Sequence, residues 1–234
     1  MTVNITHFRR MYRNKNILAF VISSIPLNFL RILLYRVLFK YNISFSAKIG
    51  LFTVIAVDKA TIVKSNIGKF NRFTGAYTLE INEGSTIGDR NEFDCGEWVF
   101  KFEEFSFLRH CKIGKNTLIT TLHFIDTAGG FELQDNSWIA GRQSQFWTHG
   151  VGATDRAISI GKGCYIGSNV NFAPGTSVGD NNLIGLGSVL TKKFNVENAL
   201  IGGNPATIVR ENYFWKERLE ANSDVGQNIS GIEA

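Results

Sequence analysis

The feature that most constrains this chain is a repeat of six residues that runs through most of its length. Between residues 160 and 196 an aliphatic or aromatic residue occupies every sixth position. These marked positions are Ile160, Ile166, Phe172, Val178, Ile184, Leu190 and Val196. A period of six fits neither an α-helix nor an alternating strand, but it fits a solenoid of short strands joined by sharp corners. Each hexad then forms one flat face, with its marked residue pointing inward.

The same step extends backwards to residue 49 with a few insertions. The upstream marks are Ile49, Ile55, Thr61, Ile67, Phe73, Leu79, then Ile81, Ile87, Phe93, Val99, Phe105, then Ile113, Ile119, Ile125, and finally Leu133 and Ile139. Such repeats bury a core only by stacking on one another, so the run must fold as one unit. We therefore expect an all-β solenoid over residues 49–206, a basic apolar helical segment over 1–48, and a strand, helix and tail over 207–234.

Charge separates the N-terminal segment from the solenoid. Residues 1–48 contain eight Lys or Arg and no Asp or Glu, whereas the whole chain of 234 residues has 25 basic and 20 acidic side chains. From residue 49 onward acids outnumber bases, which argues against a nucleic-acid partner. The three cysteines, Cys95, Cys111 and Cys164, are widely spaced, so neither a disulfide framework nor a structural zinc site is expected. A reducing cytoplasm fits this cysteine pattern.

The N-terminal segment allows two main interpretations. Its uncharged apolar run, residues 16–30, is short for a membrane span and contains Pro26. Further on, apolar residues follow a helical spacing: Leu30, Leu33, Leu34, Val37 and Leu38. The helix could cap the open end of the solenoid, or it could place the protein peripherally on the anionic inner membrane. A true transmembrane span is a weaker third alternative.

Several hexads resemble a known family. The segments IGKGCY, IGSNVN, VGDNNL, GSVLTKKF and GGNPATIV are similar to those of the hexapeptide-repeat acyltransferases, and most similar to sugar and polysaccharide O-acetyltransferases. The resemblance implies a left-handed parallel β-helix of three hexads per coil, with short N-terminal and C-terminal helices. It also implies acetyl-CoA as co-substrate, no metal, and a homotrimer with the acetyl-CoA sites between subunits.

The reaction implied by this resemblance is acyl transfer to a hydroxyl, for which one positioned imidazole can act as general base. His149 matches the context of the family's catalytic histidine, because it stands in Thr148-His149-Gly150 just before an excursion from the repeat. His123, at the small-residue position of its hexad, is the alternative base. Asp155 or Glu132 could orient the imidazole.

Other residues are candidates for binding. Trp147, with His123 and Asp155, is expected to contact the acceptor, and Trp138 is a second aromatic platform. The resemblance places further residues at acetyl-CoA: Gly167, Ser168, Ala173, Gly185 and Ser188 along the pantetheine arm, and Lys192, Lys193, Pro205 and Arg210 near the phosphates and adenine. Corner geometry and a solvated charged surface are the structural alternatives for these two groups.

The spacing of the histidines does not favour a metal centre. Solenoid carbonic anhydrases use three histidines, two of them four residues apart, whereas His110, His123 and His149 are far apart here. The sequence therefore predicts an acetyl-CoA-dependent O-acetyltransferase that acts on a sugar of a bacterial surface polysaccharide. The alternatives are an N-acetyltransferase acting on an amino sugar or a small amine, and a catalytically inactive solenoid scaffold.

Overall fold

The computed structural model describes residues 5–102 and 107–217, with side chains from residue 10 onward. Two helices come first, α1 (Ile5–Ser23) and α2 (Asn28–Leu38), and Pro26 lies in the turn between them. The strands of the first half are β1 (Asn42–Ile43), β2 (Lys48–Ile49), β3 (Val54–Ile62), β4 (Asn66–Ile67), β5 (Arg72–Ile81), β6 (Thr86–Ile87), β7 (Glu92–Cys95), β8 (His110–Ile113), β9 (Leu118–Thr121) and β10 (Phe124–Asp126). A 3-10 turn, Glu97–Lys101, separates β7 from β8.

The second half continues the same pattern of short strands. They are β11 (Phe131–Leu133), β12 (Trp138–Arg142), β13 (Gln145–Phe146), β14 (Ile158–Ile160), β15 (Tyr165–Ile166), β16 (Asn171–Phe172), β17 (Ser177–Val178), β18 (Leu183–Ile184), β19 (Val189–Leu190), β20 (Leu200–Gly203) and β21 (Ala206–Arg210). Residues 215–217 are helical, and most of the predicted C-terminal helix and tail lies outside the described residues.

The strands stack in parallel on three faces of a solenoid. The first face carries β7, β10, β13, β16 and β19, and the second carries β8, β11, β14 and β17. The third runs from β2 through β4, β6, β9, β12, β15 and β18 to β20, where β21 adds the one antiparallel pairing among the described strands. β3 and β5 are long enough to bend round a corner, so they contribute to the first and second faces together. The predicted all-β parallel solenoid is confirmed.

The six-residue repeat explains how the core is built. On the third face Ile139 pairs with Ile166, and Ile166 pairs with Ile184, so that each marked residue lies over its equivalent in the next coil. All three are fully buried. Small residues occupy the corners and bond to carbonyls there; Ser137 Oγ, for example, donates to the carbonyl oxygen of Gly161 at 2.7 Å. A larger side chain would not fit at a corner, which explains the small residue in each hexad.

The repeat misassigns some marks. A bulge between Val57 and Lys59 shifts the register, so that Ile62 rather than Thr61 faces the core. Val99 is buried in the 3-10 turn instead of in a strand, because residues from 96 onward leave the coil. Phe105 lies outside the described residues.

The two ends of the solenoid also differ from expectation. Near the C-terminus Phe194, not Val196, forms the bridge to Val178 and is buried. At the N-terminus the first coil begins before residue 49, since β1 and β2 pair with β3 and β4. The helices cover this coil, and the hydroxyl of Tyr35 accepts a hydrogen bond from the Ile55 N–H at 3.2 Å. No helix in the described part of the chain is both long and apolar enough to cross a bilayer.

The largest insertions leave the solenoid at one corner. The segments that follow β7, β10 and β13 all connect the first face to the second, so they emerge one above another along the same edge. The described residues of these segments are 96–102 and 107–109, 127–130, and 147–157. The fold therefore gathers its irregular loops at a single edge, where side chains from distant parts of the sequence can meet.

Candidate active site

A histidine and a buried carboxylate meet at this edge. His149 follows β13, and its Nδ1 lies 2.6 Å from Oδ2 of Asp126, at the end of β10 on the coil below. The two strands pair in register, Ile125 beside Phe146, which brings Asp126 close to the start of the 147–157 loop. The imidazole is partly exposed, whereas Asp126 is buried.

Both carboxylate oxygens of Asp126 accept hydrogen bonds from neighbouring residues. Its Oδ1 accepts the Ala128 N–H at 3.0 Å, and its Oδ2 accepts the Thr148 N–H at 2.8 Å and the Thr148 hydroxyl at 2.7 Å. The Thr148 Oγ1 accepts in turn from the Gly129 N–H at 2.8 Å. These bonds compensate the buried carboxylate for its lost hydration and fix the direction in which it faces His149.

The hydrogen bond to Asp126 raises the pKa of His149, and burial opposes that shift without cancelling it. In the neutral imidazole the carboxylate accepts the Nδ1–H, so Nε2 carries the lone pair. A histidine held in this way can accept a proton at Nε2 and is then stabilised as the imidazolium by Asp126.

Two tryptophans flank the imidazole. The Trp98 ring lies 4.5 Å from the His149 ring between centroids, and the Trp147 ring contacts it edge-on at 5.9 Å. Trp98 comes from the 3-10 turn that follows β7. It folds back over Gly96, where an added Cβ would come within 2.2 Å of the Trp98 Nε1. Trp147 packs on Phe124 at 4.6 Å, so the expected aromatic platform does lie beside His149.

A cavity of about 460 Å³ opens beside His149. Its walls come from two of the stacked loops: Trp98, Phe102 and Phe107 from residues 96–109, and Val151, Thr154 and Arg156 from residues 147–157. The Arg156 guanidinium lies over the Phe107 ring at 4.9 Å. Concave, mostly aromatic sites of this size with a few polar groups are typical of small-molecule binding sites.

Neither acid expected to orient His149 does so. Asp155 Oδ2 lies 2.6 Å from the Lys193 Nζ, in an exposed ion pair. Glu132 Oε1 lies 3.1 Å from the His110 Nε2 and 3.2 Å from the Lys112 Nζ, on the second face. Both carboxylates are paired with other side chains, and Asp126 is the acid that bonds to the imidazole.

His123 has a structural environment. It is buried, its Nδ1 accepts the Ser144 N–H at 3.1 Å, and its Nε2 lies 3.0 Å from the Thr120 hydroxyl. Desolvation lowers the pKa of His123 to about 4. Because both ring nitrogens are engaged inside the coil, we reassign this residue from substrate binding to corner packing. Trp138 is likewise away from the cavity, since its ring packs on Trp215 at 5.8 Å.

The small residues expected at the pantetheine arm separate into two groups. Gly167 and Gly185 follow stacked isoleucines on adjacent coils of the third face, and Gly202 continues the row. Gly167 itself is buried, and an added Cβ there would meet the backbone of Leu186 at 2.9 Å, so it serves the packing of the coils and not contact with a ligand. Ser168 and Ala173 are partly exposed. Ser188, in contrast, is fully buried and donates to the Gly185 carbonyl oxygen at 2.6 Å, so it closes a corner and is inaccessible to a ligand.

The residues expected near the phosphates are all exposed. Lys192 lies over the Phe194 ring at 5.5 Å, and Lys193 is joined to Asp155 in the 147–157 loop. Pro205 and Arg210 lie in the C-terminal hairpin formed by β20 and β21. The ion pair between Lys193 and Asp155 connects this cationic region to the loop that carries Arg156.

Several residues of the site carry no individual signal in the sequence. Asp126 follows a marked isoleucine, and only the pairing of β10 with β13 shows that it lies below His149. Trp98 does not stand out in the sequence, because Val99 beside it fits the six-residue step by coincidence. The available sign of an excursion is the pair Gly96 and Trp98, which interrupts a run of hexads.

Other chemistry is not assembled in the described part of the chain. Among residues 5–102 and 107–217 there is no group of three His, Cys, Asp or Glu side chains placed to hold a metal ion. Cys95, Cys111 and Cys164 are buried as free thiols, and burial raises the pKa of Cys95 and of Cys164 to about 12. A thiol that stays protonated is a poor nucleophile.

Comparisons with known proteins agree with this architecture. The family model described as bacterial transferase hexapeptide (six repeats) matches residues 157–192. Galactoside O-acetyltransferase of Escherichia coli (strain K12) is 38% identical over 66 residues. That match covers 26% of this chain and 32% of the relative, so it spans about a third of that protein's length.

Solved structures share the fold at low identity. UDP-N-acetylglucosamine O-acyltransferase from Moraxella catarrhalis has a TM-score of 0.54 at 17% identity, over 76% of this chain and 73% of that one. A maltose O-acetyltransferase from Clostridium difficile has a TM-score of 0.46 at 19% identity, over 88% of this chain and 87% of that one. The match to the Moraxella catarrhalis enzyme shows that the fold is the left-handed parallel β-helix of the hexapeptide-repeat enzymes, as the resemblance implies.

Proposed function

We propose that this chain, a left-handed β-helix carrying bacterial transferase hexapeptide repeats, is an acetyl-CoA-dependent O-acetyltransferase that acts on a sugar hydroxyl of a bacterial surface polysaccharide. One observation carries the proposal: the imidazole of His149, oriented by Asp126, faces a cavity with aromatic walls. The similarity of a 66-residue segment to galactoside O-acetyltransferase supports acyl transfer to oxygen.

The reaction requires the protein to transfer a proton and to position the two substrates. Nε2 of His149 accepts the proton of the acceptor hydroxyl as its oxygen attacks the thioester carbonyl carbon. The C–O bond forms, the C–S bond breaks, and the proton passes to the departing thiolate to give the free thiol. A thiolate is a good leaving group, so no covalent enzyme intermediate is required.

The acetyl-CoA site is proposed on the C-terminal coils. Gly185 and Gly202 are partly exposed and leave the backbone accessible to a narrow chain, and Lys192, Lys193 and Arg210 offer cations for the phosphates. We propose further that three chains associate around an axis so that each acetyl-CoA lies between two subunits. The cytoplasm is the proposed location, in agreement with three buried free thiols.

The cavity indicates the kind of acceptor. Sugar rings present flat C–H faces that pack on aromatic side chains, and Trp98 and Phe107 supply such faces next to His149. Thr154 and Arg156, on the opposite loop, bring a hydroxyl and a guanidinium that can hydrogen-bond to ring hydroxyls.

The test is an acetyl-transfer assay on purified protein. Acetyl-CoA is mixed with oligosaccharides from bacterial surface glycans, and thiol release and product mass are recorded. We expect transfer that His149→Ala lowers by roughly two to four orders of magnitude, the usual contribution of a general base. His110→Gln is the matched control, because His110 pairs with Glu132 outside the cavity. Equal activity of His149→Ala and wild type would reject the assignment of the base, and absence of acetyl-CoA binding would favour a scaffold.

A further inference from the structure

Helix α1 exposes an apolar face to solvent. One side of the helix buries Tyr12, Ala19 and Ile22 against the solenoid. On the opposite side Ile17 is 58% exposed and Phe20 and Val21 are each 55% exposed. A helix that only capped the solenoid would place polar residues on its outer side. This outer side instead exposes large apolar side chains, which is typical of a surface that binds a partner.

The exposed surface extends beyond the helix. Leu27, in the turn after α1, is 66% exposed. The Phe20 ring contacts that of Phe52 at 6.4 Å, and Phe52 stacks on Phe70 at 5.4 Å, at a corner of the first coils. We call Ile17, Phe20, Val21, Leu27, Phe52 and Phe70 the apolar patch. Continuous exposed patches of aliphatic and aromatic side chains mark interaction sites.

Cations border the apolar patch. Arg10 and Arg13 are exposed on the same side of α1 as Ile17, one and two turns before it. The Arg90 guanidinium lies over Phe70 at 5.7 Å. On α2 the Arg36 guanidinium lies over Phe45 at 4.9 Å, and that ring stacks on Phe29 at 5.2 Å. Apolar and cationic side chains thus alternate over the surface of both helices.

Acids are missing from this part of the chain. The first acid of the sequence is Asp58, which is occupied by Tyr12 and Arg109. Asp89, which precedes Arg90, accepts the Lys69 N–H at 2.7 Å. The charge of the two helices and their connecting segments, residues 10–57, is therefore entirely positive.

We propose that the apolar patch and its cations dock on an anionic lipid surface, with α1 lying in the plane of the headgroups. Aliphatic and aromatic side chains would enter the interface, while Arg10 and Arg13 would meet lipid phosphates. A second copy of this chain fits the surface less well. A symmetric contact through the same patch would set the cations that border the patch in one copy, Arg10 and Arg13 among them, against the same cationic surface of the other, without any acid to pair with them.

Flotation of the full chain with vesicles tests the proposal. Vesicles of phosphatidylcholine alone are compared with vesicles that also contain phosphatidylglycerol, at low and at high salt. We expect binding to the anionic vesicles at low salt, weakened by salt and weaker still on phosphatidylcholine alone. Reversing the charge with Arg10→Glu and Arg13→Glu should lower the partition coefficient by about fivefold or more for each cation.

Two further variants separate the apolar contribution from the charge. A triple variant, Ile17→Gln, Val21→Gln and Leu27→Gln, keeps the charge and changes only exposed side chains. We expect it to lose vesicle binding even at low salt. Leu186→Gln is the matched control, because Leu186 is 80% exposed on the C-terminal coils, and it should bind as wild type does.

The possible outcomes distinguish lipid binding from contact between copies of the chain. Wild type that never floats with anionic vesicles would overturn the proposal, as would a triple variant that binds as well as wild type. If wild type does not bind vesicles and the triple variant differs from it in oligomer mass by light scattering, the patch is instead a contact between copies of the chain. Because flotation needs no acceptor and no acetyl-CoA, its result is independent of the proposed activity.

Discussion

The Nδ1 atom of His149 lies 2.6 Å from Oδ2 of Asp126, although the two residues stand on different coils. This contact decides which ring nitrogen is available for chemistry. With Nδ1 bound to the carboxylate, the lone pair of the neutral ring is on Nε2. The buried acid thus sets both the tautomer and the orientation of the proposed base.

Asp126→Asn should abolish most of the activity while leaving the coil folded. The amide occupies the same volume, but it carries no negative charge to stabilise the imidazolium, and in either orientation its NH₂ group faces an N–H donor, that of Thr148 or that of Ala128. We expect kcat for acetyl transfer to fall by about two to four orders of magnitude. Glu132→Gln is the control, because that acid pairs with His110 and Lys112, and its kcat should stay near that of wild type.

The pH dependence of the reaction should report the same hydrogen bond. The base must be neutral, and Asp126 raises the pKa of His149 above its ordinary value of 6.5. In wild type kcat/KM should therefore decline as the pH falls through that raised pKa. In the residual activity of Asp126→Asn the decline should move to lower pH. Superimposable pH profiles of the two proteins would contradict the role given to Asp126.

Trp98→Ala should weaken acceptor binding more than it slows the chemical step. The indole packs on His149 and forms a wall of the cavity, so its loss should raise KM for the acceptor by about tenfold. KM for acetyl-CoA should stay unchanged, and Trp98→Phe should restore part of the affinity. An equal rise in KM for both substrates would indicate a general distortion of the site.

Gly96→Ala should displace the Trp98 indole without replacing it. The φ of Gly96 is −60°, which alanine adopts freely, but the new Cβ would come within 2.2 Å of the Trp98 Nε1. The indole must therefore shift. We expect a rise in acceptor KM in the single variant and almost no additional effect of Gly96→Ala in a Trp98→Ala background. Additive effects in the double variant would show that Gly96 acts on something else.

The sequence predicted the solenoid well because its repeat is itself the packing rule. Each marked residue must face a narrow interior, so a period of six predicts stacked positions such as Ile139, Ile166 and Ile184. The interpretation failed where a residue matched the step without facing the core. Val99 is buried, but it packs from a 3-10 turn outside the coil.

The site was predictable in part. The context of His149 singled out the residue that the structure places at the cavity. Its partner was not predictable, because Asp126 is 23 residues away and the contact depends on the lengths of the insertions between coils. The aromatic wall of the cavity was unpredictable for the same reason, since Trp98, Phe102 and Phe107 belong to the loop after β7, which only the stacking of the coils brings beside His149.

His123 should make the folded state sensitive to acid. Its Nδ1 accepts the Ser144 N–H, so protonation would break that bond and place a charge in the core. Desolvation lowers the pKa of His123 from 6.5 to about 4. The contribution of neutral His123 to the free energy of unfolding is fully present above pH 6.5. It is lost as the pH falls towards 4, by on the order of 3 kcal/mol in total. Denaturant unfolding of wild type and His123→Gln across this range measures the difference, and parallel curves would refute the assignment.

Asn28 should be important for stability because it completes the edge of the first coil. The strand β2 has the next coil on one side, and on the other side its polar groups meet the side chain of Asn28. The Asn28 Oδ1 accepts the Ile49 N–H at 2.9 Å, and its Nδ2 donates to the Ala47 carbonyl oxygen at 2.9 Å. The amide thus takes the place of a neighbouring strand at an edge that would otherwise leave both groups unpaired.

Asn28→Ala should therefore lower the free energy of unfolding by about 2–4 kcal/mol, since two backbone groups lose their partners at a partly buried edge. Asn66→Ala, one coil further on, is the matched control, because that side chain is exposed and the variant should change stability by less than about 0.5 kcal/mol. Denaturant titration of the two variants measures the contrast. Equal stability of the two variants would mean that water replaces the amide at this edge.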